Sequence, residues 1–271
     1  MNDVAYGPEP EHRLDLRLPE GTGPHPLIIW LHGGGFTSGS EDDVAPLVAD
    51  QVDRGFAVAS VRYRLAPEHP FPAGLADVKL AVRWLKSRSR PYDLDPERFI
   101  AWGHSAGGNL AAMVAVSPGE LEPRGLPDPV AERSSAVAAF VDEAGPSDLT
   151  TWWRQAGTMS LSSTLEYLSC SEIDRCSRHA MRLASPVTWV DASDPPGYLA
   201  YGRFDELVDA DRQGLPLYRA LVAAKGSGAG HWDLVSTGRP VAQGHEIERE
   251  MDRVALECFL DSSLGLPGPP C

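Results

Sequence analysis

Gly103-His104-Ser105-Ala106-Gly107 sits between an apolar run at residues 99–102 and a small-residue run at 109–116. A G-x-S-x-G pentapeptide in that setting reads as a sharp strand-to-helix turn, with the serine hydroxyl exposed at the top of a sheet and glycines permitting strained backbone angles. Three fixed positions in five recur by chance, so the flanking strand and helix patterns carry the weight. The pattern announces a nucleophile.

Outward from that turn, strands alternate with helices. Leu14-Asp15-Leu16-Arg17-Leu18 alternates with period two, and Leu27-Ile28-Ile29-Trp30-Leu31 is a short apolar run of the buried-sheet type. Helical spacing over 44–54 ends at Gly55, and 56–61 is strand-like. Residues 75–85 place Leu75, Val78, Val82 and Leu85 on one helical face, and the Pro-rich stretch 91–96 breaks it before the 99–102 strand. Further strands are expected at 136–141, 198–201 and 232–235, with helices at 209–224 and 246–260. This alternation predicts an α/β fold, one domain over 1–271 whose mostly parallel central sheet carries helices on both faces. Two regions break the rhythm. Residues 117–135 are rich in Pro and Glu and read as a loop, while 148–183 insert a helical stretch bearing Trp, Ser and Cys. The insertion is long enough to fold over a site as a lid, or to patch the sheet edge.

Composition narrows the function. With 24 Lys+Arg against 38 Asp+Glu, the formal net charge of −14 repels phosphate backbones and anionic membrane surfaces, so nucleic acid is not an expected partner. Residues 1–18 are polar, and no window approaches the roughly 18 apolar residues of a membrane span. The expectation is a soluble cytoplasmic protein. Cys170, Cys176, Cys258 and Cys271 lack metal-type spacing and read as free thiols, with a Cys170 to Cys176 pair as the minority alternative. No H-E-x-x-H, C-x-x-C, P-loop or G-x-G-x-x-G pattern occurs, so no metal and no cofactor is expected.

Serine is a weak nucleophile and needs an adjacent base, a group to orient that base, and donors for the developing oxyanion. His32-Gly33-Gly34-Gly35-Phe36 directly follows the 27–31 strand, and three successive glycines let backbone N–H groups point into a site unobstructed. With both motifs in this order, the chain resembles the α/β-hydrolase superfamily, and within it the hormone-sensitive-lipase-like and feruloyl-esterase-like carboxylesterases. The resemblance extends through Arg62-Tyr63-Arg64-Leu65-Ala66-Pro67-Glu68-His69-Pro70-Phe71-Pro72-Ala73, Asp77-Val78, Trp84-Leu85, Asp95-Pro96-Glu97-Arg98, Ser185-Pro186-Val187 and Asp194-Pro195-Pro196. It covers about residues 14–260.

The resemblance implies an α/β-hydrolase fold with a small lid insertion at about 148–183, Ser105 as nucleophile, and the amides of Gly34, Gly35 and Ala106 as oxyanion donors. The acid of such sites follows a late strand, in the chain order Ser, Asp/Glu, His. Asp205, in Tyr201-Gly202-Arg203-Phe204-Asp205-Glu206-Leu207-Val208, fits, whereas Glu206 and Asp209 belong to the solvated start of a helix. Two histidines follow it. His231 opens the 232–235 strand, and His245 comes after that strand, immediately before the expected last helix. Catalytic side chains gather beyond the carboxyl ends of strands, which favours His245 as base with His231 as the alternative. The 40-residue gap from Asp205 to His245 exceeds the family's usual spacing, and an insertion around 238–242 would explain it. His104 is expected to pack or bond locally and His32 to brace the glycine loop.

The activity implied is hydrolysis of carboxylic esters of small to medium acyl groups, with a small-molecule ester as partner. The altered histidine loop and the Trp-bearing insertion keep open a dedicated biosynthetic acyl hydrolase or transferase acting on amides, lactones or formamides. A ligand receptor that keeps the pocket without turnover is a third reading. Phe36, Trp152 and Trp153 are candidates for an apolar substrate pocket or for lid packing. Oligomeric state carries no signal in the sequence.

Overall fold

Alternation along the strands assigns each side chain to one of two apolar faces, and the chain's helices divide between them. The computed structural model describes residues 1–123, 130–155, 157–236, 245–248 and 251–267. Its strands are β1 (Val4–Ala5), β2 (Arg13–Arg17), β3 (His25–Leu31), β4 (Ala57–Val61), β5 (Leu94–His104), β6 (Ala139–Glu143), β7 (Gly197–Gly202) and β8 (Gly230–Val235). Its helices are α1 (Pro46–Ala49), α2 (Ala73–Ser87), α3 (Ala106–Val116), α4 (Leu149–Trp152), α5 (Thr158–Tyr167), α6 (Arg178–Leu183), α7 (Leu215–Lys225) and α8 (Arg253–Ser263).

Among the described residues the strands form one sheet in the order β1-β2-β4-β3-β5-β6-β7-β8. β1, β2 and β4 pair antiparallel, and every pairing from β4 to β8 is parallel. Leu27, Ile29 and Leu31 of β3 join a core with α2, α3 and α7, while Ile28 and Trp30 face the other way with Val48 of α1 and Leu256 and Leu260 of α8. Every residue of α3 is buried, which is why its sequence is almost entirely small or apolar.

Several expected boundaries move, each for a local reason. The 44–54 helix is a short α1 followed by a 3₁₀ segment, Asp50–Arg54, that stops at Gly55 with φ 94°. β5 starts at Leu94, inside the stretch expected to be a break. Leu94 pairs with His25, then the register jumps so that Leu27 meets Phe99. Pro96 cannot donate to the ladder, and the irregularity carries it. The last helix begins at Arg253 rather than 246, because the Asp252 side chain caps it by accepting from the Ala255 amide at 3.0 Å. His245 therefore does not immediately precede it.

The free-thiol expectation is overturned for Cys170, Cys176 and Cys258, while Cys271 lies outside the described residues. Cys170 and Cys176 form a disulfide with a Cα separation of 5.2 Å, the chain turning back on itself after α5, and Cys258 is disulfide-bonded as well. Disulfides persist in oxidising compartments, so cysteine usage does not support the cytoplasmic expectation. No helix among the described residues is long and apolar enough to cross a membrane.

Candidate active site

Ser105 sits between the end of β5 and the start of α3 with φ 55° and ψ −120°. A non-glycine residue at such angles stores about 1–3 kcal/mol and persists only where surrounding contacts hold it. Here the Ser105 amide donates to the Glu143 carbonyl at 2.7 Å, and its carbonyl accepts from the Asn109 amide at 3.1 Å. The turn is also as tight as glycine allows. A Cβ at Gly103 would run into the Gly107 carbonyl, and one at Gly107 into the Leu31 carbonyl, so the sequence can fold this way only with glycine on both sides of the serine.

The glycine loop after β3 lies against this turn. A Cβ built on Gly33 would come within 3.4 Å of the Ser105 Cβ and 3.2 Å of the His104 Nδ1. Gly34, Gly35 and Phe36 have φ of 108°, 62° and 68°, and the Gly34 carbonyl accepts from the amides of Thr37 and Ser38 at 3.0 and 3.1 Å. His32 braces the loop as expected: its Nδ1 donates to the Gly33 carbonyl at 2.8 Å, and its ring stacks on Tyr63 at 4.3 Å. Burial pushes the His32 pKa down, which keeps the brace neutral.

Asp205 follows β7. Its Oδ1 accepts from the amides of Leu207 and Val208 at 2.8 and 3.0 Å, and its Oδ2 meets His245 Nδ1 at 2.7 Å. A carboxylate oxygen accepts in such a contact, so His245 Nδ1 is the nitrogen that donates here and Nε2 faces away from the carboxylate. The backbone carbonyl of His245 accepts from His104 Nε2 at 3.0 Å. His231 lies elsewhere. It pairs with Tyr198 at the amino-terminal end of β8, stacks on that ring at 4.8 Å, and lines a cleft with Asp252 and Phe259. The insertion suggested at 238–242 lies outside the described residues.

Of the three candidate pocket aromatics, two come together. Phe36 meets Trp152 edge-on at 6.3 Å, whereas Trp153 faces another cleft, with the Arg154 guanidinium 4.5 Å over its ring. Tyr167 of α5 was missed by sequence reasoning, yet it stacks on Phe36 at 3.8 Å and accepts from the Phe71 amide at 2.7 Å. Nothing in its local sequence marks it. Two buried carboxylates at the end of β6 were missed as well. Burial pushes Asp142 up to about 7, although the Tyr201 hydroxyl and the Gly145 amide favour its charged form. Burial likewise pushes Glu143 up to about 8 against the Trp102 Nε1–H that it accepts.

This sheet order, with the serine turn after β5, the aspartate after β7 and the histidine after β8, is that of the α/β-hydrolase fold. The chain belongs to the BD-FAE family, whose model matches residues 14–221 and so takes in Ser105 and Asp205 but stops short of His245. Among curated relatives, a probable carboxylic ester hydrolase, LipM of Mycobacterium tuberculosis, is 31% identical over 76% of this chain and 48% of its own length. Esterase LipC of the same organism is 26% identical over 93% of this chain and 64% of its own. The chain thus spans about half the length of the first of these relatives. Among solved structures, a truncated carbohydrate esterase from gut microbiota superposes with a TM-score of 0.80 at 23% identity, covering 98% of this chain and 96% of that one. A propionate-bound esterase of Thermogutta terrifontis superposes with a TM-score of 0.74 at 20% identity, covering 99% and 96%.

Proposed function

We propose that the protein is a serine hydrolase that cleaves carboxylic esters of small to medium acyl groups, with Ser105 as nucleophile, His245 as base and Asp205 as the group that orients it. The observation that carries this is the 2.7 Å contact of His245 Nδ1 with Asp205 Oδ2, because it commits the imidazole to the tautomer whose Nε2 takes a hydroxyl proton. Ser105 Oγ attacks the ester carbonyl carbon as its proton passes to Nε2. The amides of Gly34, Gly35 and Ala106 hold the resulting oxyanion, each such donor contributing about 2.7–4 kcal/mol of transition-state stabilisation. Collapse expels the alcohol with the proton from Nε2, and water, deprotonated by the same nitrogen, releases the acid. On this reading residues 1–271 form one domain, 148–183 are its lid, and Phe36, Trp152 and Tyr167 bound the acyl side. Their packing beside the oxyanion loop supports a short acyl chain.

Turnover of p-nitrophenyl acetate and butyrate tests this, with Ser105→Ala, His245→Ala and His231→Ala measured separately. Ser105→Ala and His245→Ala are expected to be inactive and His231→Ala active. Turnover that survives Ser105→Ala sinks the proposal. A panel of amides, lactones and formanilides in the same assay distinguishes ester cleavage from the narrower acyl chemistries.

A further inference from the structure

The catalytic histidine of the proposed triad is not itself part of a helix or strand, and a single contact through Nδ1 leaves an imidazole free to pivot about that bond. A second hold is therefore needed to aim Nε2 at the serine. Ile247 supplies apolar anchoring by burial on the α8 face, and the Glu248 carboxylate accepts from the Leu47 amide. Both act beyond the histidine itself. At the histidine, the contact comes from the residue that precedes the nucleophile: His104 Nε2 lies 3.0 Å from the His245 carbonyl, with the two rings 4.8 Å apart.

We propose that His104 is a positioning residue, donating Nε2–H to the main chain of His245 and so fixing the base relative to the nucleophile. Three features support this. His104 is the last residue of β5 and adjoins Ser105, so nucleophile and anchor move as one unit. Its Nδ1 edge packs against Gly33, where a Cβ would approach to 3.2 Å, and one imidazole thereby spans the oxyanion loop, the nucleophile and the base. A carbonyl oxygen only accepts, so Nε2 must carry hydrogen. Burial, followed by the neighbouring His245, pushes the His104 pKa down, which suits a neutral donor that adds no charge beside the imidazolium formed during catalysis.

This inference rests on the triad proposed above, and the test separates the two. Steady-state kinetics on p-nitrophenyl butyrate are measured for His104→Leu, His104→Gln, His104→Asn and His245→Ala, with the concentration of competent sites fixed by fluorophosphonate titration of Ser105. His104→Leu is expected to lower kcat per competent site by about 10- to 100-fold with KM within twofold, the size of loss seen when a base or ligand loses the group that orients it. Glutamine presents an amide nitrogen the same number of bonds from Cα as imidazole Nε2, so His104→Gln restores kcat to within about threefold of the parent protein. Asparagine falls one methylene short and behaves as leucine. Wild-type kcat in His104→Leu, or His104→Gln no better than His104→Asn, overturns the assignment. The glutamine and asparagine pair decides alone if His104→Leu does not fold. Full activity in His245→Ala would instead bring down the triad, and the positioning role with it.

Discussion

Replacing Asp205 by Asn changes one atom, and the structure fixes which one. Oδ1 accepts from two backbone amides, Leu207 at 2.8 Å and Val208 at 3.0 Å, while Oδ2 faces His245 Nδ1 at 2.7 Å. The asparagine oxygen therefore takes the Oδ1 position and its NH2 points at the histidine. Facing a donor, Nδ1 must become the acceptor, the ring proton moves to Nε2, and Nε2 can no longer take the serine proton. The flipped amide would set its NH2 against two backbone N–H groups, leaving both unsatisfied at about 1 kcal/mol or more each. That sum of at least about 2 kcal/mol corresponds to roughly 30-fold at about 1.4 kcal/mol per decade, so no more than about 3% of molecules carry the productive amide. The expected fall in kcat is at least about 30-fold and approaches about 10⁴-fold if the flipped form contributes nothing. The assay is kcat on p-nitrophenyl butyrate per titrated site, with thermal melting to confirm folding. A folded Asp205→Asn protein that keeps more than a tenth of the parent kcat refutes this reasoning.

Other consequences are equally direct. Glu143, raised to about 8, is protonated when folded and ionised when unfolded between its ordinary carboxyl range and pH 8. The unfolded state then binds fewer protons, so stability present at low pH is lost as pH rises, by up to about 1.4 kcal/mol per unit. Melting temperatures from pH 5 to 8 should fall less steeply in Glu143→Gln, and equal slopes would contradict the buried acid. In Gly35→Ala, the new methyl meets Ser163 Oγ at 2.8 Å at a φ of 62°, so kcat should drop by at least about tenfold as the loop shifts, with partial recovery in Gly35→Ala/Ser163→Ala. No recovery would mean that backbone strain alone is responsible. The Tyr167 hydroxyl is buried with no partner among the described residues. An unpaired buried hydroxyl costs about 1–3 kcal/mol, so Tyr167→Phe should melt no lower than the parent protein, and a fall of several degrees would reveal a missed partner.

Legibility followed the strength of local constraint. The serine turn and the glycine loop were readable because steric demands leave few alternatives to Gly103, Gly107 and Gly34, and the sheet was readable because Leu27 to Leu31 and the 99–102 run are apolar on both faces. Asp205 was readable from its place after a strand. Tyr167 and Glu143 were not, since each acquires its setting only when a distant segment packs on it: Phe36 lies 131 residues before Tyr167 (167 − 36), and Trp102 lies 41 before Glu143. Cys170 reads as a free thiol from sequence because the chain is large enough to fold without a disulfide, an argument about need that says nothing of proximity. The start of α8 at Arg253 is hidden for a similar reason. Residues 246–252 have a periodic pattern compatible with helix, and only the Asp252 cap decides where the turn begins.

Of the two histidines that follow Asp205, only His245 is seen to meet it among the described residues, and the reason lies in where each sits relative to the strand. Spacing counted against His245, which lies 40 residues after Asp205, in favour of His231 at 26 (231 − 205). Yet closing a flexible loop of 40 residues rather than 26 costs only about 0.4 kcal/mol more, since the entropy grows as the logarithm of length. One hydrogen bond to a charged partner contributes about 1.5–3 kcal/mol, several times that difference. His245 has such a bond to Asp205 and a second, neutral one from His104. His231, committed to the sheet by its register with Tyr198, could leave the amino-terminal end of β8 only by giving up that pairing. Position along the strand therefore outweighs spacing along the chain. Insertions between β8 and α8 should be tolerated wherever both polar anchors on the histidine are kept.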